Sequence, residues 1–310
     1  MKNRVSAIII CLFLSVASVC ATAQENYSDS IQISLLTCSP GPAIYELYGH
    51  TAIRVTNHTT GNDIVFNYGL FDFSSPNFIW RFTLGKTDYL LGAEYYKNFE
   101  RSYTQRGSEI YQQDLKISKE ESEKLFQLLS THAKPENRVY RYNFLDNNCA
   151  TMALDKIEEA VNGKIKYTQM DTTTTYRQLL HKYNMVSPWS SFGTDLVIGA
   201  DADTAIQNRQ FAFAPLELME LLAHATVTDS AGNVTPLVSE AYVVNNPQNE
   251  VVFGNYILTP TQVMWIVLLT TIFISLINWH KKRISWWFDI VLIGIQGLAG
   301  IIISFLFFFS

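Results

Sequence analysis

The sequence is short of cysteine and of positive charge, and it lacks several motifs that carry common chemistries. Its 310 residues include 4 cysteines, and 23 lysines and arginines stand against 28 aspartates and glutamates. With no basic stripe in its middle part, the chain lacks the electrostatic pattern of a nucleic-acid-binding protein. It contains no Gly-x-Ser-x-Gly, His-Glu-x-x-His, Cys-x-x-Cys or Gly-x-Gly-x-x-Gly string, which argues against a serine-hydrolase elbow, a zinc-protease helix and a dinucleotide loop. We expect neither a metal nor a cofactor.

The N-terminus has the pattern of an export signal. Basic residues at positions 2 and 4 precede an apolar run from Val5 to Val19, and Ala21-Thr22-Ala23 follows. A basic start, an apolar stretch and an Ala-x-Ala sequence are typical of a cleavable signal peptide. We therefore predict a signal peptide over residues 1–23.

The C-terminal part contains two apolar stretches, at about 260–279 and 286–309. Each is long enough to cross a hydrocarbon core of ~30 Å as a helix. The basic cluster 280–283 lies between them, and positively charged loops stay in the cytoplasm. We predict a transmembrane hairpin over 258–310 in the inner (cytoplasmic) membrane, with a periplasmic domain over 24–257.

The middle of the chain carries strand and helix patterns that are typical of an α+β domain. Alternating or β-rich segments predict strands over 28–37, 51–56, 63–68 and 106–117. N-cap patterns and apolar periodicity predict helices over 118–132, 148–161, 174–183 and 215–224. The glycine-flanked segment 193–203, with three aspartates, is expected to be a solvated loop. We predict an antiparallel sheet with helices packed on it.

Cys38 and Cys149 are the cysteines that remain once the signal peptide is removed. In an oxidising compartment the two could form a disulfide. Cys149, however, follows Asp146-Asn147-Asn148, residue types that favour helix N-caps, and so begins a predicted helix. The helix dipole and free N–H groups there favour the thiolate, which is the nucleophilic form, and could stabilise an oxyanion. Without a base nearby, a buried structural cysteine would be the better interpretation.

His50 is the histidine that best fits the role of that base. The other histidines fall in a hairpin loop, at helix ends, in an exposed helix or on the cytoplasmic side. His50 begins a predicted strand whose alternation places it with Arg54 on one face and Ile53 and Val55 on the other. Gly49 removes a side chain beside it, which lets another backbone come close. A strand histidine alone is more often structural, but together with a cysteine at a helix N-terminus it predicts a nucleophile–base pair.

Four strings in the chain resemble the Lnb N-terminal periplasmic domain family. They are LTCSPG at 36–41, YGHTAIRV at 48–55, NYGLFDF at 67–73 and YNFLDNNCAT at 142–151. The resemblance runs from about residue 31 to 222 and continues into the membrane spans, after which some relatives carry further spans. The His-before-Cys order also resembles the circularly permuted papain-like (NlpC-like) thiol enzymes, among them the lecithin–retinol acyltransferase group.

The resemblance implies a lipoprotein N-acyltransferase of Bacteroidetes-type envelopes, with Cys149 as nucleophile and His50 as base. Such an enzyme moves an acyl chain from a membrane phospholipid, through a thioester, to the α-amine of a diacylglyceryl-cysteine lipoprotein. Two alternatives stay open: an envelope cysteine peptidase or amidase acting on peptidoglycan or peptide, and a non-catalytic module with a Cys38–Cys149 disulfide. The membrane hairpin favours transfer over hydrolysis.

No motif fixes the remaining residues of the site. Asn67 or Tyr68, on the strand predicted to pair with that of His50, are candidates to orient its imidazole. Arg106 and Arg141 are candidates to contact the phosphate of the lipid substrate.

Overall fold

The computed structural model describes residues 31–309, except for 72–75, 78–79, 82–83, 85, 169–172, 255 and 285. The predicted signal peptide and the first three residues of the first predicted strand lie outside the described residues, so those predictions stay predictions.

A seven-stranded antiparallel sheet forms the centre of the described domain, with strand order β10-β5-β1-β2-β3-β4-β6. A smaller sheet has the order β7-β8-β9. The strands are β1 (Ile31–Cys38), β2 (His50–Asn57), β3 (Asn62–Leu70), β4 (Asp88–Tyr95), β5 (Ile110–Leu115), β6 (Val139–Arg141), β7 (Lys164–Lys166), β8 (Thr226–Thr228), β9 (Val234–Pro236) and β10 (Val238–Val243).

Helices lie on both faces of the large sheet and after it. They are α1 (Tyr96–Arg106), α2 (Lys119–His132), α3 (Cys149–Ala160), α4 (Tyr176–Asn184), α5 (Pro188–Val197), α6 (Pro215–Ala223), α7 (Pro260–His280) and α8 (Trp286–Phe309). The predicted fold class, an antiparallel sheet with packed helices followed by a helical hairpin, is confirmed. The start of α2 follows its sequence pattern, since Ser118 Oγ accepts from the N–H of Glu121 at 3.2 Å and Glu121 Oε2 accepts from the N–H of Ser118 at 2.7 Å.

Three local predictions were wrong or incomplete. The predicted strand 106–117 begins too early, because Arg106 ends α1 and Gly107, at φ 90°, caps that helix in the left-handed conformation. The predicted acidic loop is partly helical, since Pro188 occupies the first turn of α5 and the helix continues through Gly193. Strand β4 was missed because Gly92 interrupts its pattern; a Cβ there would lie 2.3 Å from Leu70 Cδ1.

The two faces of the sheet differ in what covers them. On one face, inward residues of β1, β2 and β3 pack with α2, α3 and α6 in the main core, which includes Ile53, Val55 and Leu154. On the other face, Leu36, Cys38, Ala52 and Val65 pack under α1 with Tyr96 and Phe99. The predicted alternation of β2 is therefore confirmed, and His50 begins the strand on the side of α1.

Helices α7 and α8 are long and apolar enough to cross a membrane. Their candidate spans, Pro260–His280 and Trp286–Phe305, have mean hydropathies of 1.9 and 2.1, and none of the residues in the apolar windows is buried against the rest of the protein. The short basic connection after His280 joins them, which confirms the predicted hairpin.

Candidate functional site

The site begins where β1 ends and β2 starts. Cys38, the last residue of β1, stands directly opposite His50, the first residue of β2. Gly49 makes this close approach possible, since it has φ 78° and a Cβ there would lie 2.6 Å from the carbonyl oxygen of Cys38. Any larger residue at 49 would be strained by its φ and would clash with backbone, so the sequence Gly-His fixes the position of the imidazole.

Asn148 fixes the first turn of α3, and with it the position of Cys149. Its Oδ1 accepts from the N–H groups of Ala150 at 2.8 Å and Thr151 at 3.0 Å. Its Nδ2 donates to the carbonyls of Phe144 and Phe213, both at 2.8 Å. Because the cap occupies two helix N–H groups, the N–H of Cys149 itself is the one that faces the sulfur. We expected several free N–H groups at this helix end, but the side chain of Asn148 binds those of Ala150 and Thr151, which leaves the N–H of Cys149.

Cys149 and His50 meet beside Gly69. A Cβ on Gly69, whose φ is 90°, would lie 3.5 Å from Cys149 Cβ and 3.7 Å from His50 Cε1. The register of β3 against β4 shifts between Asn67 and Leu70, so this glycine belongs to a bulge. The bulge opens the end of the sheet to the N-terminus of α3 and brings the thiol and the imidazole close enough for each to shift the pKa of the other.

Asn67 contacts the far side of the imidazole. His50 Nε2 lies 2.6 Å from Asn67 Oδ1. An amide oxygen only accepts, so Nε2 carries a proton and donates it, which leaves Nδ1 for the sulfur of Cys149. Asn67 is buried, and its contact holds the ring in one tautomer and one orientation.

The two groups shift one another's pKa in the directions that favour an ion pair. For Cys149, burial acts to raise the pKa, but the charge and hydrogen bond of His50 and the N–H groups of Thr51 and Cys149 outweigh it, and the pKa is lowered. For His50, burial acts to lower the pKa, but the charge and hydrogen bond of Cys149 and the hydrogen bond to Asn67 outweigh it, and the pKa is raised. A thiolate beside an imidazolium can attack an acyl carbonyl and then return a proton to the leaving group.

Tyr68, the other residue expected to orient His50, points away from it. Its side chain lies in the main core on the opposite face of the sheet, and its hydroxyl is 3.0 Å from His132 Nδ1. That expectation was wrong, because neighbouring residues of a strand face opposite sides.

Tyr103, on α1, packs against His50, and this contact was not predicted from the sequence. The ring of Tyr103 stacks on the imidazole, with ring centroids 6.1 Å apart and planes 14° apart. The guanidinium of Arg106 lies 4.4 Å from the centre of the Tyr103 ring, and its Nη1 is 2.7 Å from Glu46 Oε1. The apolar spacing Tyr96, Phe99, Tyr103 was a helical signal for α1 that could have predicted this contact.

The two arginines expected to bind phosphate lie in different settings. Arg106 is close enough for its charge to oppose the rise in pKa of both Cys38 and His50, and its guanidinium also binds Glu46 and Ser108. Arg141 is half exposed, and its Nε lies 2.7 Å from Asp88 Oδ1. The phosphate role stays a prediction for both.

Cys38 and Cys149 both carry free thiols in this structure. Cys38 is 0% exposed, and burial raises the pKa of its thiol despite the opposing charge of Arg106. The disulfide of the non-catalytic alternative is therefore not formed here.

A row of aromatic side chains lies near Cys149. Tyr89 and Tyr142 stack with ring centroids 4.0 Å apart, and Phe71 lies 5.1 Å from Tyr89. Burial and, after it, the charge of Cys149 raise the pKa of Tyr89 to about 12, and they also raise that of Tyr142. Tyr45, exposed at the surface, continues the row at 5.6 Å from Phe71. This aromatic row gives one side of the site a largely apolar character.

Comparison with known families gives two matches. A model of the Lnb N-terminal periplasmic domain matches residues 20–182, and a model of the Lnb transmembrane domain matches residues 252–310. Comparison with curated proteins and with solved structures gives no significant match. Together with the two apolar helices, the matches describe a membrane protein with a periplasmic domain.

Proposed function

This chain belongs to the Lnb family, and we propose that it is a lipoprotein N-acyltransferase, held in the inner membrane with its site facing the periplasm. The observation that carries the proposal is the row of Cys149, His50 and Asn67 at the end of the sheet. It contains a nucleophile, a base and an orienting group in one line, the arrangement that thiol acyl transfer requires. The two apolar helices support the proposal, since they would anchor this row beside the bilayer that holds its lipid substrates.

In the first step, the thiolate of Cys149 attacks the ester carbonyl of a membrane phospholipid. The carbonyl oxygen becomes an oxyanion, for which the N–H groups of Thr51 and Cys149, both of which act on the sulfur, are the candidate donors. When the intermediate collapses, the C–O ester bond breaks and imidazolium His50 gives its Nδ1 proton to the leaving alkoxide. The products are an acyl thioester on Cys149 and a lysophospholipid.

In the second step, the α-amine of a diacylglyceryl-cysteine lipoprotein attacks the thioester. An α-amine has a pKa of about 7.7–8.0 in model peptides, so part of it is neutral near pH 7. Neutral His50 takes a proton from the attacking nitrogen, the C–S bond breaks, and an amide forms. General-base assistance of this kind contributes roughly 10²–10⁴ in rate.

Water competes with the amine for the thioester, and the aromatic row supports transfer over hydrolysis. The stacked rings of Tyr89 and Tyr142 form an apolar flank beside Cys149, which accommodates an acyl chain and disfavours water. A peptidase or amidase would use the same Cys149–His50 pair, but its reaction would require neither an apolar surface beside Cys149 nor attachment to the membrane.

The mass of lipoprotein N-terminal peptides tests the proposal. Cells lacking this protein would be complemented with the native chain, with Cys149→Ser, or with Cys38→Ser as the matched control. We expect the native chain and Cys38→Ser to add one acyl chain to the peptide, and Cys149→Ser to add none. Unchanged lipoproteins with altered cell-wall fragments would favour an amidase or peptidase instead. A Cys38–Cys149 disulfide in functional material would contradict both enzymatic interpretations.

A further inference from the structure

Helix α5 has its apolar side outside and its polar side inside, the reverse of a helix on a water-soluble domain. Its four large apolar side chains are all between 39% and 50% exposed: Trp189, Phe192, Leu196 and Val197. At 100° per residue these four fall on one side of the helix. The polar residues Thr194 and Asp195 fall on the other side and are less exposed.

The polar side of α5 is bound to the domain. Asp195 pairs with Arg177 at 2.8 Å and with His181 at 2.9 Å, both on α4. Thr194 Oγ1 lies 3.5 Å from the hydroxyl of Tyr48. Because the polar side is occupied by the domain, the outward position of the apolar side is fixed.

The apolar side of α5 lies at the level where the chain enters the membrane. Trp189 Nε1 donates to the carbonyl of Leu258 at 2.7 Å, two residues before α7 begins. Ser187 Oγ lies 2.7 Å from the hydroxyl of Tyr256, and α5 also lies against α7 and α8. The patch is thus continuous with the two membrane-spanning helices, and an indole at this level matches the preference of Trp for the membrane–water interface.

We propose that α5 is a membrane-interface helix whose apolar side inserts into the periplasmic leaflet of the bilayer. An interfacial helix of this kind lies in the plane of the membrane with its apolar face ~5–10 Å into the headgroup and acyl boundary. The patch is continuous with the hairpin and carries no unpaired formal charge among its described residues, which identifies lipid as its partner.

This position also links the bilayer to the candidate site. Tyr48, which accepts from Asn184 Nδ2 at 2.9 Å and contacts Thr194, is separated from His50 by a single glycine. Helix α5 therefore holds the Cys149–His50 pair at a fixed depth above the lipid esters. This consequence for substrate delivery rests on the proposed function, whereas the insertion of α5 does not.

The insertion is tested with the full chain in vesicles of phosphatidylethanolamine and phosphatidylglycerol. A spin label would be attached at Phe192→Cys or Leu196→Cys in a Cys149→Ser background, and at Ser230→Cys in an exposed polar turn as the control. The Cys149→Ser parent without an added cysteine measures any labelling of the buried Cys38. Collisions with dissolved oxygen, which concentrates in lipid, are compared with collisions with a water-soluble nickel chelate.

We expect the ratio of oxygen to nickel collisions at 192 and 196 to exceed that at 230 by roughly fivefold or more, as for a label within the acyl boundary. Equal ratios at the three positions would overturn the proposal, since α5 would then lie in water. Low collision rates with both reagents at 192 and 196 would also overturn it, because another protein surface would cover the helix.

This measurement requires no acyl transfer, so it succeeds or fails independently of the proposed function. A second measurement addresses substrate delivery. We expect the double variant Phe192→Ser/Leu196→Ser to lose roughly tenfold or more of its transfer from vesicle phospholipid, while iodoacetamide alkylates Cys149 at the native rate. Native transfer by the double variant would show that insertion does not deliver the substrate; slower alkylation would show that the variant disturbs the site itself.

Discussion

Cys38 and Cys149 both lie near His50, yet their surroundings shift the pKa of the two thiols in opposite directions. Cys38 ends a central strand, is fully buried among Leu36, Ala52 and Phe99, and has a raised pKa because burial outweighs the nearby charge of Arg106. Cys149 begins a helix, and although burial acts to raise its pKa, the influence of His50 and of the N–H groups of Thr51 and Cys149 lowers it.

The comparison shows that proximity to a histidine does not make a thiol reactive. Cys38 is directly opposite His50 in the β1–β2 pairing, but the imidazole contacts Asn67 and lowers the pKa of Cys149, whereas burial dominates the pKa of Cys38. Which thiol becomes a thiolate more easily therefore depends on the charges and hydrogen-bond donors around its sulfur, and not on its position opposite His50 in the strand pairing.

The largest expected effect comes from exchanging the nucleophile. We expect Cys149→Ser to lower transfer by on the order of 10⁴-fold or more, because a serine hydroxyl beside this imidazole is a far weaker nucleophile than a thiolate. Transfer of labelled acyl chains from phospholipid to a diacylated peptide measures it. Cys38→Ser is the control; an equal loss in that variant would mean that the two cysteines are not functionally distinct.

Removing the imidazole should be the next largest effect. We expect His50→Ala to lower transfer roughly 10²–10⁴-fold, since both the base and the partner of the thiolate are lost. The same variant should raise the pKa of Cys149, which the pH dependence of iodoacetamide alkylation reports. Unchanged alkylation at neutral pH in His50→Ala would contradict the assignment of His50 as the group that lowers the pKa of Cys149.

The native chain should show a specific pH dependence. The pKa of Cys149 is lowered and that of His50 is raised, and both shifts favour the thiolate–imidazolium pair. At a pH below the pKa of Cys149 its thiol is protonated, and at a pH above the pKa of His50 the imidazolium loses its proton. We therefore expect alkylation of Cys149 to rise at a pH below that of an ordinary thiol, while Cys38, with its raised pKa, stays unmodified throughout. Alkylation of both thiols with the same pH profile would remove the distinction.

Removing the orienting group should have a moderate effect. Asn67→Ala deletes one buried hydrogen bond of about 1–1.5 kcal/mol, which corresponds to roughly a tenfold loss of transfer. Its matched control is Tyr68→Phe, which deletes the hydrogen bond to His132 on the other face of the same strand. We expect the control to lower the free energy of unfolding by about 1 kcal/mol and to leave transfer unchanged. A loss of transfer in Tyr68→Phe equal to that in Asn67→Ala would assign the effect to the strand rather than to the imidazole.

The smallest effect is expected at Cys38. Cys38→Ala removes one buried sulfur from a packed cluster and should lower the free energy of unfolding by about 1 kcal/mol, a typical cost for a core substitution. Urea unfolding measures this, and transfer should stay within twofold of the native rate, roughly the effect of an indirect packing change. A much larger loss of transfer with unchanged stability would indicate that Cys38 takes part in the chemistry.

The parts of the site that local sequence could predict are those fixed by neighbouring residues. Asn148 caps α3 with its own side chain, and Gly49 permits one backbone approach, so Cys149 and His50 follow from short strings. Asn67 was predictable as a residue on the strand that pairs with that of His50. The choice between Asn67 and Tyr68 as the residue that orients the imidazole required knowing which face of β3 each side chain occupies.

The remaining parts depend on packing between distant segments. Tyr103 reaches His50 only because α1 crosses the face of the sheet that Cys38 and Ala52 share, and α1 itself was not predicted. The outward apolar side of α5 could not be predicted either, because the glycines at 193 and 199 and the nearby aspartates are typical of a loop. The helix is stabilised by contacts between distant residues, in which Arg177 and His181 pair with Asp195.

Trapping the thioester would show directly whether Cys149, and not Cys38, carries the acyl chain. The full chain would be incubated in vesicles with an isotope-labelled phospholipid and without acceptor peptide, then digested and analysed by mass spectrometry. We expect one acyl mass on the peptide that contains Cys149, released by neutral hydroxylamine, absent in Cys149→Ser and retained in Cys38→Ser. An acyl chain on the Cys38 peptide, or lipoprotein acylation that continues in Cys149→Ser without any thioester, would contradict this expectation.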